Sequence, residues 1–132
     1  MSSTGPVIPE HIRRLMNPED LKEYDEKAMQ AIGRREREEQ KVFNTWLNNK
    51  LAERKLYAIN PRSDKASTIR VGHPDYTVFL PSARVLLLEM KVQGGVLSED
   101  QTKCIELLSD LGYAVEIPQS AAQAISIVKG FL

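Results

Sequence analysis

The chain has one cysteine, Cys104, and two histidines, His11 and His73. One thiol cannot form an intrachain disulfide, which fits a reducing compartment, and so few sulfur and imidazole ligands can hardly cage a zinc ion. Long apolar runs are missing too: no segment approaches the roughly 18–20 continuous apolar residues of a membrane span. Met1 to Gly5 is polar where a signal peptide would carry its apolar region, so the expected location is the cytosol. Eighteen basic side chains balance eighteen acidic ones, which argues against indiscriminate coating of nucleic acid. Internal repeats are absent, and Gly94-Gly95 is not followed by the Gly-Lys-Ser/Thr of a phosphate loop. What remains is 132 residues, enough for one modest core.

The charge that is present is unevenly spread. Residues 1–33 carry four basic and six acidic side chains, and 72–132 carry four and seven. Residues 34–71 carry ten basic against five acidic, a local excess of +5. Arg34, Arg35, Arg37, Lys41, Lys50, Arg54, Lys55, Arg62, Lys65 and Arg70 supply it. Taken singly, each is an ordinary solvated cation; taken together they make a stripe suited to DNA phosphates.

Local patterns predict the elements. Asn17-Pro18-Glu19-Asp20 reads as an N-cap, a first-turn proline and two first-turn acids, opening a helix that Gly33 should close. A shorter helix over about 10–16 precedes it. Arg34 to about Lys55 reads as a second, amphipathic helix with Val42, Phe43, Trp46, Leu47 and Leu51 as its apolar stripe. Leu56 to Asn60 is a short strand, followed by a polar, basic loop to Val71. Ser98-x-x-Gln101 opens a helix that Gly112 stops, Tyr113 to Ile117 is a strand, and Ser120 to about Phe131 a closing helix. Cys104 and Trp46 read as packing residues.

The most apolar run, Val85 to Val92, is interrupted by Glu89 and Lys91. Buried charges cost several kcal/mol each unless paired or metal-bound, so their presence needs a reason. With a period of two, Leu87, Glu89 and Lys91 share one face of a central strand. Asp75 to Leu80 is a second strand, and a four-residue connection over 81–84 folds it back as a hairpin. That register sets Leu80 opposite Val85, Tyr76 opposite Glu89 and Asp75 opposite Met90. Two carboxylates and an ammonium then converge at one end. Hard oxygen ligands of this kind suit Mg²⁺ or Mn²⁺. Such an ion neutralises a phosphate oxygen and acidifies a bound water, while Lys91 orients that water or stabilises charge. The implied reaction is phosphodiester hydrolysis. Alone, Asp75 after a proline is as readily a turn residue, and Lys91 a strand-end lysine.

Gly72-His73-Pro74-Asp75, then Glu89-Met90-Lys91, then Gly94-Gly95-Val96-Leu97-Ser98 with Gln101, Leu108 and Gly112, resembles the VRR-NUC branch of the PD-(D/E)XK nucleases. The resemblance covers about 34–132, leaving 1–33 as an N-terminal helical extension. It implies a restriction-endonuclease-like α/β core of order α-β-β-β-α-β-α, with Asp75, Glu89 and the Met90 carbonyl as metal ligands. It also implies a helical Glu followed four residues later by Gln near the metal. Glu36 with Gln40 is the first candidate and Glu39 the second, while both glutamates could instead pair with neighbouring arginines. Gln101 has a counterpart near the metal in the family, and equally completes a capping box with Ser98. His73 reads as a structural residue or a phosphate contact. Stand-alone members resemble Holliday-junction resolvases, so branched DNA and a homodimer are expected; symmetric double cutting also needs two sites related by a two-fold axis. A compact free-standing nuclease suits a phage. A flap, duplex-end or restriction nuclease, and an inert DNA-binding protein on the same scaffold, are the alternatives.

Overall fold

The computed structural model describes residues 10–60 and 71–132. A short helix α1 (Glu10–Arg13) leads to the long α2 (Pro18–Ala52), then β1 (Tyr57–Ile59), β2 (Tyr76–Leu80), β3 (Arg84–Leu88), α3 (Glu99–Asp110), β4 (Ala114–Glu116) and α4 (Ala121–Lys129). The strands form one mixed sheet in the order β1-β2-β3-β4, antiparallel except for the parallel β3–β4 pair. This is the expected α-β-β-β-α-β-α succession, with β3 in the sheet interior as its two apolar faces require.

Asn17 caps α2 as its sequence promises: its side-chain oxygen accepts from the Asp20 N–H at 2.8 Å, with Pro18 in the first turn. The helix does not stop at Gly33. One continuous helix of 35 residues, about 52 Å at 1.5 Å per residue, replaces the two expected ones. An interior glycine costs only about 1 kcal/mol against alanine, and the flanking Ala, Met, Gln, Arg and Glu residues are strong helix formers that absorb it. The true stop lies at Arg54, in a left-handed conformation at φ 61°. Arg54 N–H donates to Leu51 (2.9 Å) and Lys55 N–H to Lys50 (3.0 Å), the bond pair of a Schellman closure that usually carries glycine. Replacing Arg54 by Gly should therefore raise stability by about 1 kcal/mol, read as a higher urea midpoint at unchanged slope.

The core lies between one sheet face and the helices α2 and α4. Tyr76, Val78 and Leu80 alternate along β2, Leu86 and Leu88 along β3, and they meet Phe43 and Leu47 of α2 and Ala121, Ala124 and Val128 of α4. Phe43 meets Tyr76 edge-on with ring centroids 4.9 Å apart and stacks on half-buried Trp46 at 6.2 Å. The expected α2 stripe narrows accordingly: Val42 and Leu51 are exposed, since Phe43 and Leu47 alone point straight at the sheet. Cys104 is half-buried rather than buried.

The hairpin register is shifted by one residue from the expected one. Tyr76 pairs with Leu88, Thr77 with Leu87, Val78 with Leu86, Phe79 with Val85 and Leu80 with Arg84. The cause is the turn. Pro81–Ala83 closes in three residues because Ser82 (φ 64°) and Ala83 (φ 59°) both take left-handed conformations. Arg84 thereby joins the ladder, and its guanidinium donates to the Pro81 carbonyl at 3.0 Å and to the Phe131 carbonyl. Counted onward, this register brings Asp75 level with Glu89 itself rather than with Met90.

Candidate active site

The site forms where β2 and β3 part company. Beyond the Tyr76–Leu88 pair the hairpin ladder ends, and Pro74, with no N–H to donate, cannot extend it. The other strand continues to hold its neighbour: Glu89 N–H donates to the Glu116 carbonyl and Lys91 N–H to the Pro118 carbonyl, both at 3.0 Å. Residues 89–91 are thus anchored to the β4 side while their β2 side is released. Met90 N–H, lacking a β2 carbonyl, donates to Asp75 Oδ2 at 3.0 Å. That bond draws the Asp75 carboxylate into the Glu89-Met90-Lys91 segment.

Both acids are buried, Asp75 with 1% of its surface exposed and Glu89 with none. Two glutamines reach them from opposite helices. Gln40 of α2 donates from Nε2 to Asp75 Oδ2 at 3.3 Å, and Gln101 of α3 donates from Nε2 to Glu89 Oε2 at 3.3 Å. Gln101 also completes the capping box, since its Oε1 accepts from Ser98 N–H (2.8 Å) and its own N–H donates to Ser98 Oγ (3.1 Å). The two readings of Gln101 are therefore compatible: the bond that starts α3 also fixes the amide that meets Glu89. Neutral donors stabilise carboxylates in place without consuming their charge.

Lys91 is half-buried beside Gly95. A Cβ placed on Gly95 would lie 3.5 Å from Lys91 Cδ and 3.9 Å from Glu36 Oε2, so this glycine marks the place where the lysine stem and the helical acid approach one another. Glu39 points elsewhere, its Oε1 accepting from Ala121 N–H at 2.8 Å to cap α4. Of the two candidate helical acids, Glu36 is the one that faces the site. A second glycine braces the approach to Asp75. At Gly72 (φ +89°) a Cβ would sit 2.4 Å from the Asp100 carbonyl oxygen, so only glycine lets residues 72–75 lie against the first turn of α3.

His73 sits just outside this cluster, its Nε2 3.1 Å from Thr77 Oγ1. Burial pushes its imidazole below the ordinary value of 6.5. The folded chain thus resists a proton that the unfolded chain accepts, so stability is complete above about 6.5 and declines as pH falls below it. His73→Gln should flatten that decline in thermal melts taken between about pH 7.5 and 5; an unaltered slope would contradict the assignment. Among the remaining sequence candidates, Arg37 and Lys41 are exposed on α2, whereas Arg35 is half-buried, with Nε and Nη2 bonded to none of the described residues. Arg62, Lys65 and Arg70 lie outside the described residues. Gln40, expected near the site only as the companion of Glu36, is the α2 residue that reaches Asp75.

Among the described residues no three His, Cys, Asp or Glu side chains crowd together as a ready-made metal cage. The donor set on offer is instead two buried carboxylates, Asp75 and Glu89, with the backbone carbonyl of Met90 directly after the second. That composition fits a small hard cation, because Mg²⁺ keeps most of its waters and takes only one or two protein carboxylates. It does not fit zinc.

A four-stranded mixed sheet flanked by helices, with two buried acids and a lysine where the central hairpin splays, defines the class as a restriction-endonuclease-like nuclease fold. The VRR-NUC domain model matches residues 21–122, and the chain belongs to that family. A solved structure described as a VRR_NUC domain has the same fold, with a TM-score of 0.57 at 18% sequence identity, covering 74% of this chain and 98% of that one. No curated protein matches the chain. The family match opens within the first half of α2, ahead of residue 34, in keeping with the unbroken helix. Membership implies a nuclease-like function with DNA as substrate, and the family in general uses divalent metal. No helix among the described residues is long and apolar enough to cross a membrane.

Proposed function

We propose that this protein is a Mg²⁺- or Mn²⁺-dependent endonuclease that cuts branched DNA such as Holliday junctions, working as a homodimer. The observation that carries the reading is the bond from Met90 N–H to Asp75 Oδ2, which seats one buried carboxylate against the segment bearing Glu89 and Lys91. Asp75, Glu89 and the Met90 carbonyl would hold the ion. When bound, it offsets charge on the scissile phosphate and makes a coordinated water more acidic. Lys91 orients the attacking water and stabilises negative charge as it develops, in a partly desolvated position where its ammonium acts more strongly than in bulk water. Gln40 and Gln101 keep the two carboxylates in register, and Glu36, across Gly95 from Lys91, takes up the lysine's charge or a proton from the water. Arg35, Arg37, Lys41 and His73, with Arg62, Lys65 and Arg70, are assigned to DNA phosphates. Two copies give the paired cuts that a symmetric junction needs.

The test is a panel of labelled four-way junctions, flaps and linear duplexes incubated with Mg²⁺, Mn²⁺ or chelator. Metal-dependent cleavage, fastest on the four-way junction, supports the whole reading. Cleavage of flaps or duplex ends alone would keep the chemistry and remove the junction preference, and no cleavage of any substrate would overturn both.

A further inference from the structure

We infer that Ser98, an exposed residue at the start of α3, is a positioning residue for Glu89: its backbone N–H decides which end of the Gln101 amide faces that carboxylate. The inference rests on the cation-dependent nuclease reading above and adds to it a residue that works through Gln101. The bonds run in one direction. Ser98 N–H donates to Gln101 Oε1 at 2.8 Å, and Gln101 Nε2 donates onward to Glu89 Oε2 at 3.3 Å. A backbone N–H can only donate, so it holds the carbonyl end of the amide and leaves the NH₂ end for the carboxylate. With the amide reversed, acceptor would face acceptor at Glu89 and donor would face donor at Ser98.

A capping box alone does not ask for this. Its third helical position takes Glu as readily as Gln, and the helix dipole favours the charged residue near an N-terminus. Here the position is held by Gln101, the buried residue of α3, only 6% exposed. A glutamate there would press one buried carboxylate against another, whereas the neutral amide meets Glu89 with a donor. Ser98 is exposed yet firmly held. Its Oγ accepts from Gln101 N–H at 3.1 Å, and its carbonyl accepts from both the N–H and the hydroxyl of Thr102 at 2.9 Å. The turn itself thus aims the Ser98 N–H. The same turn meets the loop of the other acid, since a Cβ on Gly72 would lie 3.0 Å from Gln101 N. Residues 98–101 therefore abut the segment leading to Asp75 and carry the amide that supports Glu89.

The experiment compares the full chain with Ser98→Ala, Ser98→Pro and Gln101→Ala by calorimetric titration of Mn²⁺ with non-hydrolysable junction DNA present, alongside melting curves. Ser98 has φ −71°, which a proline ring accepts. Alanine and proline both remove the hydroxyl, and only proline removes the N–H; both variants should melt a few degrees below wild type. Ser98→Pro should bind Mn²⁺ at least about tenfold more weakly than Ser98→Ala, the loss expected when the partner of a metal ligand goes, and Gln101→Ala should show a similar loss. Ser98→Pro combined with Gln101→Ala should bind no more weakly than Gln101→Ala alone, because the serine acts through the amide. A merely structural cap would move the melting temperatures and leave the Mn²⁺ affinities alike. Equal Mn²⁺ binding by the alanine and proline variants, a further loss in the double variant, or a proline variant that does not fold overturns the inference. Cleavage of hydrolysable junctions with Mg²⁺ separates it from the reading beneath it. Mn²⁺ affinities in the expected order without cleavage would sink the nuclease and leave Ser98 its role; cleavage by wild type with equal affinities in the two Ser98 variants would do the reverse, and a wild type that takes up no Mn²⁺ overturns both.

Discussion

Lys91→Ala and Asp75→Asn should each slow DNA cleavage by roughly 10³-fold, the loss expected when a charge-stabilising or metal-holding group is removed from a preorganised site. Neither should unfold the chain. Asparagine keeps the shape of aspartate and an oxygen able to accept from Met90 N–H and Gln40, as Asp75 Oδ2 does. Lys91 is half-buried, and its backbone bond to Pro118, which ties the segment to the β4 side, survives truncation of the side chain. Single-turnover cleavage at saturating enzyme, alongside melting curves, separates chemistry from folding. Full activity in either variant at an unchanged melting temperature would refute the roles assigned to them.

Gly72→Ala should be as damaging by another route. Its new methyl would lie 2.4 Å from the Asp100 carbonyl oxygen, a backbone atom in the first turn of α3 that cannot swing aside, and the residue is held at φ +89°. Steric conflict and backbone strain together should cost about 3 kcal/mol of stability. The displacement acts on function as well. Gly72 leads into His73, Pro74 and Asp75, and α3 carries Gln101 toward Glu89, so separating the loop from the helix moves Asp75 and the amide that supports Glu89 at once. A shift of about 1 Å at such a centre can cost about 100-fold in rate, measurable below the melting temperature of the variant. An alanine variant with wild-type melting and cleavage would show that this contact is looser than the geometry implies.

Much of the fold is written in short-range signals. Asn17-Pro18 and Ser98-x-x-Gln101 start helices because a side-chain oxygen meets a backbone N–H a few residues on, and such bonds depend on nothing distant. Gly112 at φ +98° likewise ends α3 where expected. What eluded sequence reasoning was set by competition between elements or by conformations that the residue type does not advertise. Gly33 looks like a stop, yet strong helix formers on both sides outweigh it, while the real stop is an arginine at φ 61°. Ser82 and Ala83 give no hint of the left-handed turn that slips the hairpin by one residue. The slip changes the detail of the site, although the approach of Asp75 to the Glu89-Met90-Lys91 segment was legible from the interrupted apolar run. Gln40 could not be tied to Asp75 from spacing alone, because 35 residues separate them and only the packing of α2 on the sheet joins them.

The most direct test is calorimetric titration of Mn²⁺ into the wild-type protein, Asp75→Asn and Glu89→Gln, with uncleaved DNA present to complete the coordination shell. Wild type should bind Mn²⁺ in proportion to its sites, and each variant should lose at least about tenfold in affinity, as expected when one of two carboxylate ligands goes. Equal Mn²⁺ binding by all three proteins would contradict the claim that these buried acids form a cation site.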